Sequence, residues 1–303
     1  MEDKRVAKGL RFMGFSSRPL TKLISMKTKK LKLDTNFKKD TKKYKYLKRE
    51  DNTNLKVLII KPKNQKNKVG ILWIHGGGYV TGSPATTKLS MAKHLSKDYL
   101  IVSPKYTLAV YAPYPKALED CYQTLCFMHE NAKELEISKD SLVVGGESAG
   151  GGLAIAVCLY ARDQGKIKVK CQIPLYPMID DRMNTSSMIN NNAPVWNHKI
   201  NKKAWATYLR GLPKEDIPKY AAPARETDYS NLPPAITFVG SIEAFKDETT
   251  NYIERLKKEN IKVAFKIYPG CYHAFDMIVP WSKQAHDAKR FVLDNFKDFL
   301  IRY

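Results

Sequence analysis

A serine hydroxyl becomes a useful nucleophile only with a base in hydrogen-bond reach and a third group that orients the base. Ser148 is the residue placed for that chemistry. It stands in Gly146-Glu147-Ser148-Ala149-Gly150, with glycines two residues before and two after. Glycines at those positions let the backbone turn too sharply for a Cβ, so the serine is thrust out of the turn. Five-residue patterns recur by chance, and the setting is what makes this one specific. Leu142-Val143-Val144 precedes it, and Leu153–Tyr160 follows, apolar all the way round and stopped by Gly165. That is a buried strand, a tight turn and a buried helix. A glycine-rich turn carrying a solvated serine is the plainer alternative, and it loses once the partners are counted.

Six histidines could supply the base: His75, His94, His129, His198, His273 and His286. Only His273 follows a core strand in a glycine-containing turn, after the serine in chain order. His75 belongs to a glycine loop, and the others fall in helices or in an insertion. The acid should leave the strand before His273. Glu243 sits three residues past Gly240, in the loop itself, and is chosen. Asp247 is the alternative acid; with Glu248 it sits where a helix N-terminus would welcome negative charge anyway. The resulting order is Ser148, Glu243, His273, the serine–acid–histidine order of α/β-hydrolases. A second glycine cluster, His75-Gly76-Gly77-Gly78-Tyr79, empties from the apolar run Val69–Ile74. Three glycines after a strand leave amide hydrogens free to point at one spot, as a developing oxyanion requires. Gly77 and Gly78, with Ala149 after the nucleophile, are the expected oxyanion hole.

Stepwise alternation of strand and helix must position these groups. Tyr44–Leu47 and Leu55–Lys61 read as a hairpin around Asp51-Asn52-Thr53-Asn54. Strands are expected at 69–74, 99–103, 141–145, 169–178, 235–239 and 263–268, and helices through Asn131, after Ser148, from the Ser241–Glu248 stretch on through Lys258, and from Pro280 onward. Alternating units of this length predict an α/β fold: a mostly parallel central sheet covered by helices on both faces. Val6, Leu10, Met13, Leu20, Leu23 and Ile24 fall at helical spacing around Pro19, which fits two short amphipathic helices. Residues 184–218 break the rhythm. They are Asn-rich, then helical around Ala204–Leu209, and read as an insertion over the carboxyl edge of the sheet. Its Trp196, Trp205 and Tyr208, with Tyr79, could line a substrate pocket, although packing within the insertion is the commoner fate of such side chains.

These motifs resemble the hormone-sensitive-lipase-like branch of the α/β-hydrolases. The resemblance rests on His75-Gly76-Gly77-Gly78 and Gly146-Glu147-Ser148-Ala149-Gly150-Gly151. It extends through Tyr106-x-Leu108-Ala109, Pro113-x-Pro115, Ala117–Asp120, Leu232-Pro233-Pro234 and Gly270-x-x-His273 in family order. It implies an α/β-hydrolase fold with a helical cap: residues 1–45 and 184–218 as cap, 46–183 and 219–303 as core. It also implies a carboxylesterase acting on short- to medium-chain acyl esters, without metal or organic cofactor. An amidase, formamidase or peptidase on the same triad, or a non-catalytic receptor-like protein, are the alternatives. The chain departs from the family in two places. Glu243 stands where an Asp is usual, and the family's Asp-Tyr-Arg-Leu-Ala-Pro-Glu appears as Lys105–Tyr111, without its charge cluster.

Composition narrows the setting. A chain of 303 residues with 43% hydrophobic content buries a large core. Its five cysteines are odd in number and outside any ligand pattern, which predicts reduced thiols and a cytoplasmic location. No apolar stretch is long enough to predict a membrane span. The net charge is +22, and residues 1–50 alone hold 17 Lys/Arg against 5 Asp/Glu, a net +12. No nucleic-acid-binding motif accompanies the lysines, so no specific nucleic-acid partner is expected. A small ester is the expected partner, and the sequence allows a homodimer.

Overall fold

The computed structural model describes residues 4–11, 42–63, 65 and 67–302. Eight strands form one sheet: β1 (Lys42–Lys48), β2 (Asn54–Ile60), β3 (Gly70–Ile74), β4 (Leu100–Pro104), β5 (Leu142–Glu147), β6 (Cys171–Leu175), β7 (Ala235–Gly240) and β8 (Val263–Tyr268). Their spatial order is β1-β2-β4-β3-β5-β6-β7-β8. The hairpin β1–β2 and the β2–β4 pair are antiparallel, and every other pair is parallel. The helices are α1 (Ala92–Leu95), α2 (Lys116–Glu130), α3 (Ala149–Gln164), α4 (His198–Tyr208), α5 (Lys246–Lys258), α6 (Phe275–Ile278) and α7 (Lys283–Arg302).

Successive strand residues point to opposite faces, and here both faces are covered, so the central strands are apolar without alternation. Leu72 and Ile74 join the core under α2, α3 and α5, with Leu125, Leu153, Val157 and Ile253. Ile71 and Trp73 join the opposite core under α1 and α7, with Leu95, Val292 and Phe296. Each such side chain, fully buried, stabilises the fold by about 1.5–3 kcal/mol. Between these layers β5 is buried along its whole length. The elbow serine at its end is thereby held on a rigid element.

Two boundaries differ from expectation. Strand β6 is shorter, Cys171–Leu175, with Pro174 inside it and Pro177 beyond its end. Pro174 has no amide hydrogen to give the ladder, and its carbonyl accepts the Thr237 hydroxyl. Helix α5 begins at Lys246, which leaves Glu243 in the loop and Asp247 and Glu248 in the first turn, as expected. Helix α7 begins at Lys283, not at Pro280, because the hydroxyl of Ser282 caps it by accepting from the Ala285 amide at 3.1 Å.

Among the described residues, the N-terminal stretch holds a 3-10 turn, Lys8–Leu10, with Val6 and Leu10 buried. The Ala7 amide donates to the Gly270 carbonyl at 2.9 Å, which docks this stretch on the turn before His273. Met13, Leu20, Leu23 and Ile24, and with them most of the expected cap segment 1–45, lie outside the described residues. The insertion 184–218 contains α4, whose first turn is capped by the Asn197 side chain accepting from Ile200 N at 3.2 Å. It packs on loops at the carboxyl edge: Tyr208 stacks on Tyr79 after β3, and its carbonyl accepts from Tyr114 N at 2.9 Å after β4.

Candidate active site

Ser148 has φ 59° and ψ −123°, a backbone conformation that non-glycine residues rarely occupy and that persists only where surroundings impose it. The surroundings are three hydrogen bonds. Its amide donates to Leu175 O at 3.0 Å, and its carbonyl accepts from Gly152 N at 3.0 Å and Met178 N at 3.1 Å. A Cβ on Gly146 would lie 2.5 Å, and one on Gly150 2.1 Å, from the Ile74 carbonyl oxygen, so the turn closes against β3 only with glycine at both places. Helix α3 starts at the next residue and points its positive end at the serine.

The structure brings Ser148, His273 and Glu243 together. His273 Nε2 lies 2.9 Å from Ser148 Oγ, and Nδ1 lies 3.0 Å from Glu243 Oε1. The second Glu243 oxygen accepts from the Gly240 amide at 3.1 Å, so both oxygens of a fully buried carboxylate are engaged. Tyr176 and Phe245 meet the imidazole edge-on, with ring centroids 5.0 and 5.2 Å away, and Trp196 is tilted over it at 6.0 Å. Asp247 is elsewhere. Its carboxylate accepts from Ser187 N at 2.7 Å and pairs with Lys246 at 2.8 Å, which ties the insertion to α5. Glu248 is buried and accepts from the Ile179 amide at 3.1 Å; burial pushes its carboxyl well above the usual range.

The loop after β3 lies against the elbow, since a Cβ on Gly76 would stand 3.3 Å from that of Ser148. Gly77 and Gly78 have φ +123° and +60°. Among the described residues, nothing accepts the amide hydrogens of Gly77, Gly78 or Ala149. A Cβ on Gly78 would lie 2.3 Å from Cη2 of Trp196, so the indole rests directly on this loop. The Trp196 ring is itself fixed: its Nε1 donates to Asn201 Oδ1 at 3.0 Å. Tyr79, Trp205 and Tyr208 form an aromatic stack, Tyr79 on Tyr208 at 3.9 Å and Trp205 at 5.6 Å from Tyr79, and the Tyr79 hydroxyl donates to Met178 O at 2.9 Å. His75 stacks on Tyr106 at 4.2 Å, and burial lowers its pKa to about 4, so the ring is neutral.

Two buried acids escaped the sequence reading. Glu147 accepts from Trp73 Nε1 at 2.6 Å, and burial, aided by the nearby Asp276, raises its pKa to about 8. Burial likewise raises Asp276, three residues past His273, to about 6. The only signal available was an acid at the end of an otherwise apolar strand. Among the described residues, no group of three or more His, Cys, Asp or Glu side chains is arranged to hold a metal ion, and no helix is long and apolar enough to cross a membrane.

A family model described as the alpha/beta hydrolase fold matches residues 71–277. Carboxylesterase NlhH of Mycobacterium tuberculosis is 29% identical over 223 residues, 71% of this chain and 70% of its own. The arylesterase of Saccharolobus solfataricus is 29% identical over 231 residues, 73% of this chain and 72% of its own. Among solved structures, a bacterial heroin esterase superposes with a TM-score of 0.82 at 28% identity, over 93% of this chain and 89% of that one. The family match spans β3 through α6, and so includes the glycine loop, the elbow serine and His273. The chain belongs to the α/β-hydrolase family, in its hormone-sensitive-lipase-like esterase branch.

Proposed function

We propose that this protein is a serine carboxylesterase that hydrolyses short- to medium-chain acyl esters of small alcohols through an acyl-enzyme. One observation carries the reading: a single imidazole stands 2.9 Å from the elbow hydroxyl and 3.0 Å from a buried carboxylate. The esterase relatives and structural neighbours support the same class of reaction.

His273 Nε2 takes the proton of Ser148 as Oγ bonds to the ester carbonyl carbon. The carbonyl oxygen becomes an oxyanion and receives the amide hydrogens of Gly77, Gly78 and Ala149, each worth about 3 kcal/mol to the transition state. The carbon–oxygen bond to the alcohol then breaks, and His273 returns the proton to the leaving oxygen. Water enters, gives a proton to His273, and attacks the acyl-enzyme. Collapse of that second tetrahedral adduct releases the carboxylic acid and restores Ser148. Glu243 holds Nδ1 protonated and stabilises the imidazolium. Insertion 184–218 acts as the cap, and Trp196, seated on Gly78, limits the size of group that enters, which favours short acyl chains.

Labelling with a fluorophosphonate tests the reading. Stoichiometric attachment in the native protein, lost in Ser148→Ala, is the expected result. Equal labelling of Ser148→Ala overturns the assignment of the nucleophile.

A further inference from the structure

A cavity of about 690 Å³ lies along α4, and Ser148, Glu243 and His273 do not line it. Its size falls within the range of about 300–1,000 Å³ typical of small-molecule sites. Helix α4 presents Lys202, Trp205, Ala206 and Leu209 to it, a spacing that puts them on one helical face. Trp205, Leu209 and Ile217 make an apolar floor, while Lys202, Arg210 and Lys214 are exposed cations at its edge. Asp181 is the one carboxylate in the lining, and Arg225 neutralises it through two hydrogen bonds of 2.6 and 2.9 Å. Arg182 is held by Asp180 at 2.7 and 2.8 Å. Among the described residues, Lys202, Arg210 and Lys214 have no carboxylate partner, and their charge stands at the edge of an apolar surface.

An apolar floor under a cationic rim matches a ligand with the opposite arrangement, a hydrocarbon body and an anionic end. We propose that this cavity binds a single-chain alkyl carboxylate of medium length. The chain lies along Trp205 and Leu209, and the carboxylate meets Lys202, Arg210 and Lys214. The site stands on the cavity alone and holds whether or not Ser148 is the nucleophile. Trp205 lies against Tyr79, the residue that follows the glycine loop, so an occupant touches a ring that packs directly on the oxyanion side of the fold.

Calorimetric titration of the full-length protein with sodium decanoate, below its micelle concentration, tests the proposal. Protein already labelled with a fluorophosphonate at Ser148 is titrated in parallel, which separates this cavity from the cleft around the serine. The expected result is binding of similar affinity in both samples, weakened by salt and at least about tenfold tighter than for 1-decanol. The double variant Lys202→Glu/Arg210→Glu keeps wild-type turnover of a small ester and loses decanoate affinity by at least about tenfold. Both positions are exposed, and an unchanged melting temperature verifies the fold. Affinity unchanged in the double variant, equal binding of decanol, or loss of binding on labelling would each overturn the proposal.

Discussion

The guanidinium of Arg49, in the β1–β2 turn, grips the carboxylate of Asp120 on α2 through hydrogen bonds of 2.6 and 3.0 Å. Asp120 also accepts the amide and hydroxyl of Thr107, each at 2.7 Å. Thr107 occupies the place of the arginine in the family's Asp-Tyr-Arg-Leu-Ala-Pro-Glu stretch. The charge that seemed lost from residues 105–111 is thus supplied from the hairpin turn, 71 residues away from its partner.

Removing that cation leaves a carboxylate, 1% exposed, without compensation. Arg49→Ala is expected to lower stability by about 2–4 kcal/mol in urea unfolding. Thr107→Arg in the same background should restore part of the loss, because the family's own arginine would then reach Asp120. Failure of that rescue would mean the two positions are not equivalent.

Glu243 and Asp247 are separated by what they touch. Glu243→Gln presents an amide to Nδ1 of His273, disfavours the productive tautomer, and is expected to lower kcat on the order of 10⁴-fold. Asp247→Asn keeps turnover near the wild-type rate and costs about 1 kcal/mol or less in stability, since it breaks a half-exposed pair with Lys246. Steady-state kinetics of both variants on one ester decides the ranking.

Trp196→Ala empties the space above Gly78 and beside His273. A series of p-nitrophenyl esters from acetate to dodecanoate is expected to show kcat/KM rising by about tenfold for the longer chains, with acetate little changed. A profile that keeps its shape would remove Trp196 from the specificity of the enzyme.

Two buried groups give stability opposite slopes with pH. The Glu147 carboxyl ionises at about 8 in the fold instead of near 4.5, so its contribution is full at low pH and is lost as pH rises from 4.5 through 8. His75 titrates at about 4 instead of 6.5, so its contribution is full above 6.5 and is lost as pH falls toward 4. Glu147→Gln should therefore gain on the wild type as pH rises from 5 to 8, read as the difference in melting temperature. A difference that does not vary with pH would locate the ionisation elsewhere.

Local patterns were legible in the sequence, and distant pairings were not. The elbow and the glycine loop are written in contiguous residues whose backbone demands are specific, and each of Ser148, Glu243 and His273 follows a recognisable strand; the structure brings the three side chains together. The apolar runs of β3, β5 and β7 mark strands buried on both faces. The Arg49–Asp120 pair could not be read, because no local spacing links a hairpin turn to a helix. Trp196 and Trp205 are equivalent by type, yet Trp196, just before α4, lies beside His273 and Gly78, while Trp205, within α4, lines a separate cavity. Ser282, two residues past Pro280, sets the start of the last helix through a hydroxyl that competes with proline as a beginning signal.

Seating Tyr79 on Tyr208 and Trp196 on Gly78 has a kinetic corollary. The amide donors we propose, on Gly77 and Gly78, are held in place by this packing, so their alignment does not wait for contact with an oil–water boundary. Turnover of a dissolved ester should follow a simple hyperbola in monomer concentration, with no surge where the substrate begins to form micelles.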